Sequence, residues 1–144
     1  MRIPKDLYVY GDRNFHGRCA LEKHEAKTFF ALLRLKHPSL GLIAVHVRNE
    51  GKRPGWQANQ FKREGLVTGT SDIIIPGNPS FVCELKRRDH KQSELTEAQV
   101  DYLHAAKANG SFVCIALGAD AAMEAVGKWI QLSHKLELGK GLSL

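Results

Sequence analysis

The sequence predicts an α/β domain: a four-stranded mixed sheet flanked by helices, in the order αβββαβ with one further helix at the C-terminal side. Three observations carry this. Two β-branched or aromatic runs, Asp72-Ile73-Ile74-Ile75 and Phe81-Val82-Cys83-Glu84-Leu85-Lys86, enclose Pro76-Gly77-Asn78-Pro79-Ser80, the densest cluster of turn residues in the chain. A capping-box signal at Thr96 opens a helical stretch that ends at Asn109-Gly110 and leads into a strongly apolar run. An amphipathic helical period begins near Ala20 and is stopped by Pro38.

Taken in order, residues 1–18 have no clear period, and Leu7-Tyr8-Val9-Tyr10 before Gly11 is a candidate short strand. The first helix is expected from Ala20 to His37. At about 100° per residue, Leu21, Ala26, Phe29, Phe30, Leu32 and Leu33 share one side, with Lys23, Lys27 and Arg34 opposite. Glu22 and Glu25 fall inside the apolar arc. An acid facing inward costs free energy unless it is paired or bound to a cation, although acids near a helix start also serve the dipole. Leu42 to Arg48 reads as a strand, and a basic stretch over 49–68 follows, with a short helix near Gln57–Glu64 before Gly65. It interleaves Lys52, Arg53, Lys62 and Arg63 with Trp56 and Phe61, which suits phosphate contact and base stacking and equally a solvated loop with one aromatic anchor.

The hairpin comes next, then the basic run Lys86-Arg87-Arg88-Asp89-His90-Lys91. The helix from Thr96 passes through Val100, Leu103 and Ala106, a strand spans Ser111 to Leu117, and a helix from Ala119 to about Leu132 carries Met123, Val126, Trp129 and Ile130 on one face. The last dozen residues read as a loose tail. The chain is expected to be one domain over 1–144, with a core at about 20–132, a flexible N-terminal segment and a C-terminal tail.

A chain of 144 residues with 43% hydrophobic and 25% charged residues can bury a proper core, which argues against disorder. A net charge of +6 favours a polyanionic partner, though charge alone is weak support. Cys19, Cys83 and Cys114 are odd in number and widely spaced. Cys83 and Cys114, inside apolar strand runs, read as buried free thiols, which fits a reducing cytoplasm and argues against a structural zinc site. No stretch has the length of a membrane span, and the start of the chain has no apolar signal region. The seven histidines include no tight pair with ligand spacing.

Spacing alone brings chemistry-bearing residues together at the hairpin. If it centres near Asn78, Asp72 lies across from Glu84; if near Gly77, across from Cys83. Either register gathers both acids at one end of the ladder, where opposed residues are about 5 Å apart. Glu84 and Lys86 share one strand face, while Phe81, Cys83 and Leu85 share the other, so the apolar set can enter a core while Glu84 and Lys86 face a cleft. Opposed carboxylates repel unless a positive group lies between them, and Mg²⁺, which takes oxygen ligands and keeps several waters, fits that need.

An acid on the first helix, an Asp…Glu-x-Lys hairpin and a following crossover helix together resemble the PD-(D/E)XK nuclease superfamily. Within it the chain is similar to the VRR-Nuc branch, the virus-type replication–repair nucleases that occur as phage-like stand-alone domains. The resemblance rests on Glu22, on His46-Val47-Arg48-Asn49-Glu50-Gly51-Lys52-Arg53, on Gly65 and Gly69-Thr70-Ser71-Asp72, and on Glu84-Leu85-Lys86 and Thr96-Glu97-Ala98-Gln99. It covers roughly residues 20–130, and the joint pattern is far more specific than any element of it. Family members commonly have Pro where this chain has Ser71, and Gln where it has Ala26; the second departure leaves Glu25 open as an alternative to Glu22.

The resemblance implies a restriction-endonuclease-like core and a metal-dependent nuclease. Asp72, Glu84 and the Leu85 carbonyl would coordinate Mg²⁺ or Mn²⁺, with Glu22 helping directly or through water. Lys86 would orient the nucleophile, and Gln99 would buttress Lys86, touch the phosphate or simply cap its helix. Asn49, Lys52 and Arg53 would hold the DNA backbone, with Lys62, Arg63, Arg87 and Arg88 flanking. The implied activity is DNA endonuclease of phage replication, recombination or repair type, specifically a homodimer that resolves four-way (Holliday) junctions in a bacterial or phage-infected cytoplasm. Flap or nonspecific DNase activity, and a non-catalytic DNA-binding protein that keeps the fold, are the alternatives.

Overall fold

A computed structural model describes residues 1–48 and 54–142. Its sheet has five strands: β1 (Val9–Tyr10), β2 (Val45–His46), β3 (Ile73–Ile75), β4 (Phe81–Lys86) and β5 (Phe112–Leu117), side by side in the order β1-β5-β4-β3-β2. Neighbours β2, β3 and β4 are antiparallel, while β4–β5 and β5–β1 are parallel. The helices are α1 (Glu22–Lys36), α2 (Pro38–Gly41), α3 (Gly55–Arg63), α4 (Glu97–Ala108) and α5 (Ala119–Leu142). The mixed sheet flanked by helices is as expected, but it has five strands, not four. The additional strand, β1, falls within the candidate short strand at Leu7–Tyr10 and pairs Val9 with Ile115 and Tyr10 with Ala116.

The other differences have local causes. Pro38 does stop α1, yet it also opens α2, since its missing N–H and fixed φ suit a first helical position. Because the Ile43 and Ala44 N–H groups then donate to the Leu40 carbonyl (3.1 and 2.9 Å), β2 starts at Val45 and not at Leu42. Helix α5 runs to Leu142 where a loose tail was expected, because Ser133 onward contains no proline to break it. Thr96 caps α4 through a complete capping box, as its spacing indicated.

Central strand β4 is buried along its whole length. On one face Phe81, Cys83 and Leu85 join Phe29, Phe30 and Leu33 of α1 and Val126 and Trp129 of α5; on the other Val82 packs with Leu7, Leu103, Ile115 and Leu117 under α4. The hairpin is pinned beneath α5: the Trp129 indole N–H donates to the Pro79 carbonyl (2.7 Å), and its ring lies 5.4 Å from Phe81. Cys83 and Cys114 are adjacent across β4–β5 as buried free thiols.

The N-terminal segment, expected to be flexible, is tied to the β4–α4 connection. Asp89 accepts the Gly17 N–H (3.0 Å), the Lys91 N–H (3.1 Å) and the Gln92 side-chain amide (3.0 Å). The Gly17 N–H above all, aided by Gln92 and Lys91, holds the Asp89 carboxyl at about 2, below its ordinary 3.8. A carboxyl lowered on folding stabilises the fold above its unfolded pKa, and that contribution disappears as pH falls through the folded value. We expect wild-type thermal stability to fall more steeply than that of Asp89→Asn between about pH 4 and pH 2; equal slopes would remove this role. Trp129→Ala should cost about 3–5 kcal/mol in urea unfolding, as buried aromatic truncations do.

Candidate functional site

The β3–β4 register pairs Ile73 with Cys83, and one step further it sets Asp72 opposite Glu84, the alignment centred on Asn78. Asp72 stands just before β3, where its Oδ2 accepts the Leu85 N–H (2.9 Å). That ladder continues outward too, since the Val47 N–H donates to the Asp72 carbonyl (2.9 Å).

Glu84 and Lys86 face α4, and they are far less open than a cleft-facing strand would make them: 1% and 2% exposed. The crossover helix that makes β5 parallel to β4 covers this face, so both side chains are enclosed. Lys86 Nζ lies 3.3 Å from Glu84 Oε1 and donates to Gln99 Oε1 at 3.3 Å. Gln99 Oε1 also accepts the Thr96 N–H (3.0 Å), while the Gln99 N–H donates to Thr96 Oγ1 (3.2 Å). A single amide oxygen thus both caps α4 and holds Lys86.

Glu84 Oε2 is buried with no hydrogen-bond partner among the described residues. Burial first, and then the Asp72 carboxylate, push the Glu84 carboxyl up to about 9, against the opposing pull of Lys86. One ammonium group does not offset the burial of Glu84 and the neighbouring Asp72 charge.

Gly69 keeps the loop that delivers Asp72 against α4. Its φ of +79° is a conformation that glycine adopts without strain, and a Cβ there would overlap the Ala98 carbonyl. Ser71, in the position where proline was expected, is fully buried, with no partner for its hydroxyl among the described residues.

The two helix acids part company. Glu22 lines a cavity of about 50 Å³ together with Lys23, Ala26, His46, Asp72 and Leu85. Its Oε1 accepts the Ser93 hydroxyl (2.9 Å), and Ser93 Oγ in turn accepts the Arg87 N–H (3.0 Å). Glu25 is buried elsewhere: its Oε2 accepts the N–H of Ala119 (2.6 Å), the first residue of α5, whose positive dipole end favours an acid. Its place in the apolar arc is explained by capping another helix.

Among the described residues no group of three or more His, Cys, Asp or Glu side chains gathers as a cation site. The donor set that does fit a hard cation is the Asp72–Glu84 pair with its orphaned Oε2 and the neighbouring Leu85 carbonyl, water completing the shell as Mg²⁺ prefers.

The basic residues expected to flank the site are divided. Asn49, Lys52 and Arg53 lie outside the described residues. Lys62 and Arg63 are exposed in the last turn of α3, a helix that buries none of its side chains. Arg87 is committed internally, donating from Nε to the Ala20 carbonyl (3.1 Å) and from Nη2 to the Cys19 carbonyl (2.9 Å). Arg88 lies over the Phe15 ring, 4.4 Å from its centroid. Sequence reasoning missed Ser93 as the partner of Glu22, because a contact across 71 residues leaves no mark in local spacing.

No protein family and no curated protein matches the sequence. Among solved structures, the chain is similar to a "VRR_NUC domain protein" at 20% identity, over 83% of this chain and 93% of that one, with a TM-score of 0.63. The chain therefore has the fold of a VRR_NUC domain.

Asp72→Asn keeps an acceptor for the Leu85 N–H and removes the charge opposing Glu84. We expect it to stabilise the cation-free protein by about 1 kcal/mol, as relief of strained sites commonly does. Mg²⁺ or Mn²⁺ should raise the melting temperature of the wild type and not of Asp72→Asn; equal shifts in differential scanning calorimetry would exclude this donor set.

Proposed function

We propose that the chain is a metal-dependent DNA endonuclease that hydrolyses phosphodiester bonds at Asp72, Glu84 and Lys86, with Mg²⁺ or Mn²⁺ as cofactor. The observation that carries this is an enclosed lysine held 3.3 Å from both a carboxylate and an amide, beside two opposed acids at one end of a strand pair. A purely structural role accounts for it poorly, because apolar side chains of similar volume would stabilise the same position as well or better. The shared fold with a VRR_NUC domain protein supports the same reading.

Asp72, Glu84 and the Leu85 carbonyl would hold the cation, with Glu22 reaching it directly or through water. When bound, the cation neutralises charge on the phosphoryl oxygens and acidifies a water. Lys86 places a positive charge where negative charge develops, and its tie to Gln99 fixes that charge before substrate arrives, so no reorganisation is required in the transition state. Ser93 orients Glu22 in the same way. Lys62 and Arg63, with Asn49, Lys52 and Arg53, would add phosphate contacts around the site.

The preferred substrate in this reading is a four-way junction cut by a homodimer in phage-type replication, recombination or repair, since two symmetric sites match two symmetric strands. Exposed Leu42 and Ile43, with Val45 of edge strand β2, form the surface a second copy would cover. Matched linear, flap, nicked and four-way junction DNAs with Mg²⁺ or Mn²⁺ test activity and preference together. Lys86→Ala should cut about a hundredfold or more slowly, the usual cost of losing such a charge; undiminished cutting by it would sink the mechanism. Binding without nicking of supercoiled plasmid would favour a non-catalytic DNA-binding protein.

A further inference from the structure

Next to the acid cavity lies a larger groove of about 400 Å³ between α1 and β2. Its floor is apolar, from Ala26, Phe30 and Ala44, and its rim is cationic, from Lys23, Lys27 and Arg34 of α1 and from Arg48 beyond β2. Lys23, Ala26 and His46 line both hollows, so the groove opens directly onto Asp72 and Leu85.

The charge pattern calls for an anion. Lys23 and Lys27 stand four residues apart on one helix, where like charges repel. No carboxylate lines the groove among the described residues. The two acids of α1 are engaged elsewhere, Glu22 with Ser93 and Glu25 with the start of α5. The rim also has length: Lys23 to Arg34 spans about 16 Å at the helical rise of 1.5 Å per residue. About five phosphates of one strand, at ~3.4 Å each along a duplex axis, cover that distance. Phe30, 5.8 Å from the His46 ring and beneath the Arg34 guanidinium at 5.6 Å, adds an aromatic floor beside the phosphates.

We infer that this groove is the track along which the phosphate backbone of one nucleic-acid strand runs into the Glu22–Asp72 cavity, with Lys23, Lys27 and Arg34 as its phosphate contacts. The strand's destination rests on the nuclease reading above; the binding itself does not. The solvated face of α1 is thereby a binding face, beside an Arg87 whose guanidinium is engaged with the Ala20 and Cys19 carbonyls.

The test is fluorescence anisotropy of a labelled single-stranded oligonucleotide and its matched duplex, in EDTA, across a salt series. Lys27→Gln/Arg34→Gln should bind at least tenfold more weakly. Its log–log salt slope should be shallower by about 1.4 on the single strand, or about 1.8 on the duplex, the release expected for two phosphate contacts. Arg2→Gln/Lys5→Gln removes the same charge near the N-terminal strand that packs with α4, across the sheet from α1, and should keep the wild-type slope. Lys27→Arg/Arg34→Lys should restore binding, with circular dichroism and melting temperature verifying the fold of each variant. The inference is overturned if the groove variant keeps the wild-type slope, if the control variant loses as much, or if the wild type binds neither probe. Wild-type binding with the expected slopes but no cleavage would uphold the groove and refute the nuclease reading. Cleavage by the wild type with unaltered binding by the groove variant would do the reverse.

Discussion

Two carboxylates and one ammonium group share the end of a strand pair where Glu84 and Lys86 are closed off from water, and much of the structure follows from that constraint. Lys86 touches only one of the acids, and Glu84 keeps a buried oxygen with no partner among the described residues. Such an arrangement persists only because the surrounding fold over-determines it. Strand β4 is central, covered on both faces and paired on both edges, so neither side chain can move out into solvent. The hairpin turn is held under α5 by Trp129, and its register opposes Asp72 to Glu84.

Helix α4 does two jobs through one turn of chain. Its capping box satisfies its first N–H groups, and the same Gln99 oxygen steadies Lys86. Gly69 brings the loop before Asp72 into contact with the backbone of that same turn. The two arms of the site, one from the loop before β3 and one from β4, therefore meet at a single helix start. On the opposite face the acids of α1 serve different masters. Glu25 closes the start of α5, and Glu22 stays at the cavity, steadied by Ser93.

Cations that look equivalent in composition are sorted by packing. Arg87 and Arg88 follow directly on the Glu-x-Lys strand. Arg87 fastens the chain at residues 19–20 to the end of β4, and the exposed Arg88 lies over Phe15. Lys23, Lys27 and Arg34, which helical periodicity places on the outer face of α1, line the groove that leads to the acids. Distance along the chain is a poor guide to distance from the site wherever long polar side chains find backbone acceptors first.

Local chemistry made much of this legible from the chain: the hairpin and its Asn78-centred alternative, the capping box at Thr96, the burial of Cys83 and Cys114, the apolar faces of α1 and α5, and the pairing of Asp72, Glu84 and Lys86. Each is written in contacts between near neighbours, in turn residues or in a regular period. Tertiary structure alone decided where the candidate strand at residues 7–10 joins the sheet, the burial of both faces of β4, the parting of Glu22 from Glu25, and which cations face the groove. Those outcomes depend on contacts between residues some 70 to 110 positions apart, such as Glu22 with Ser93, Glu25 with Ala119 and Val9 with Ile115, and no local pattern encodes such contacts.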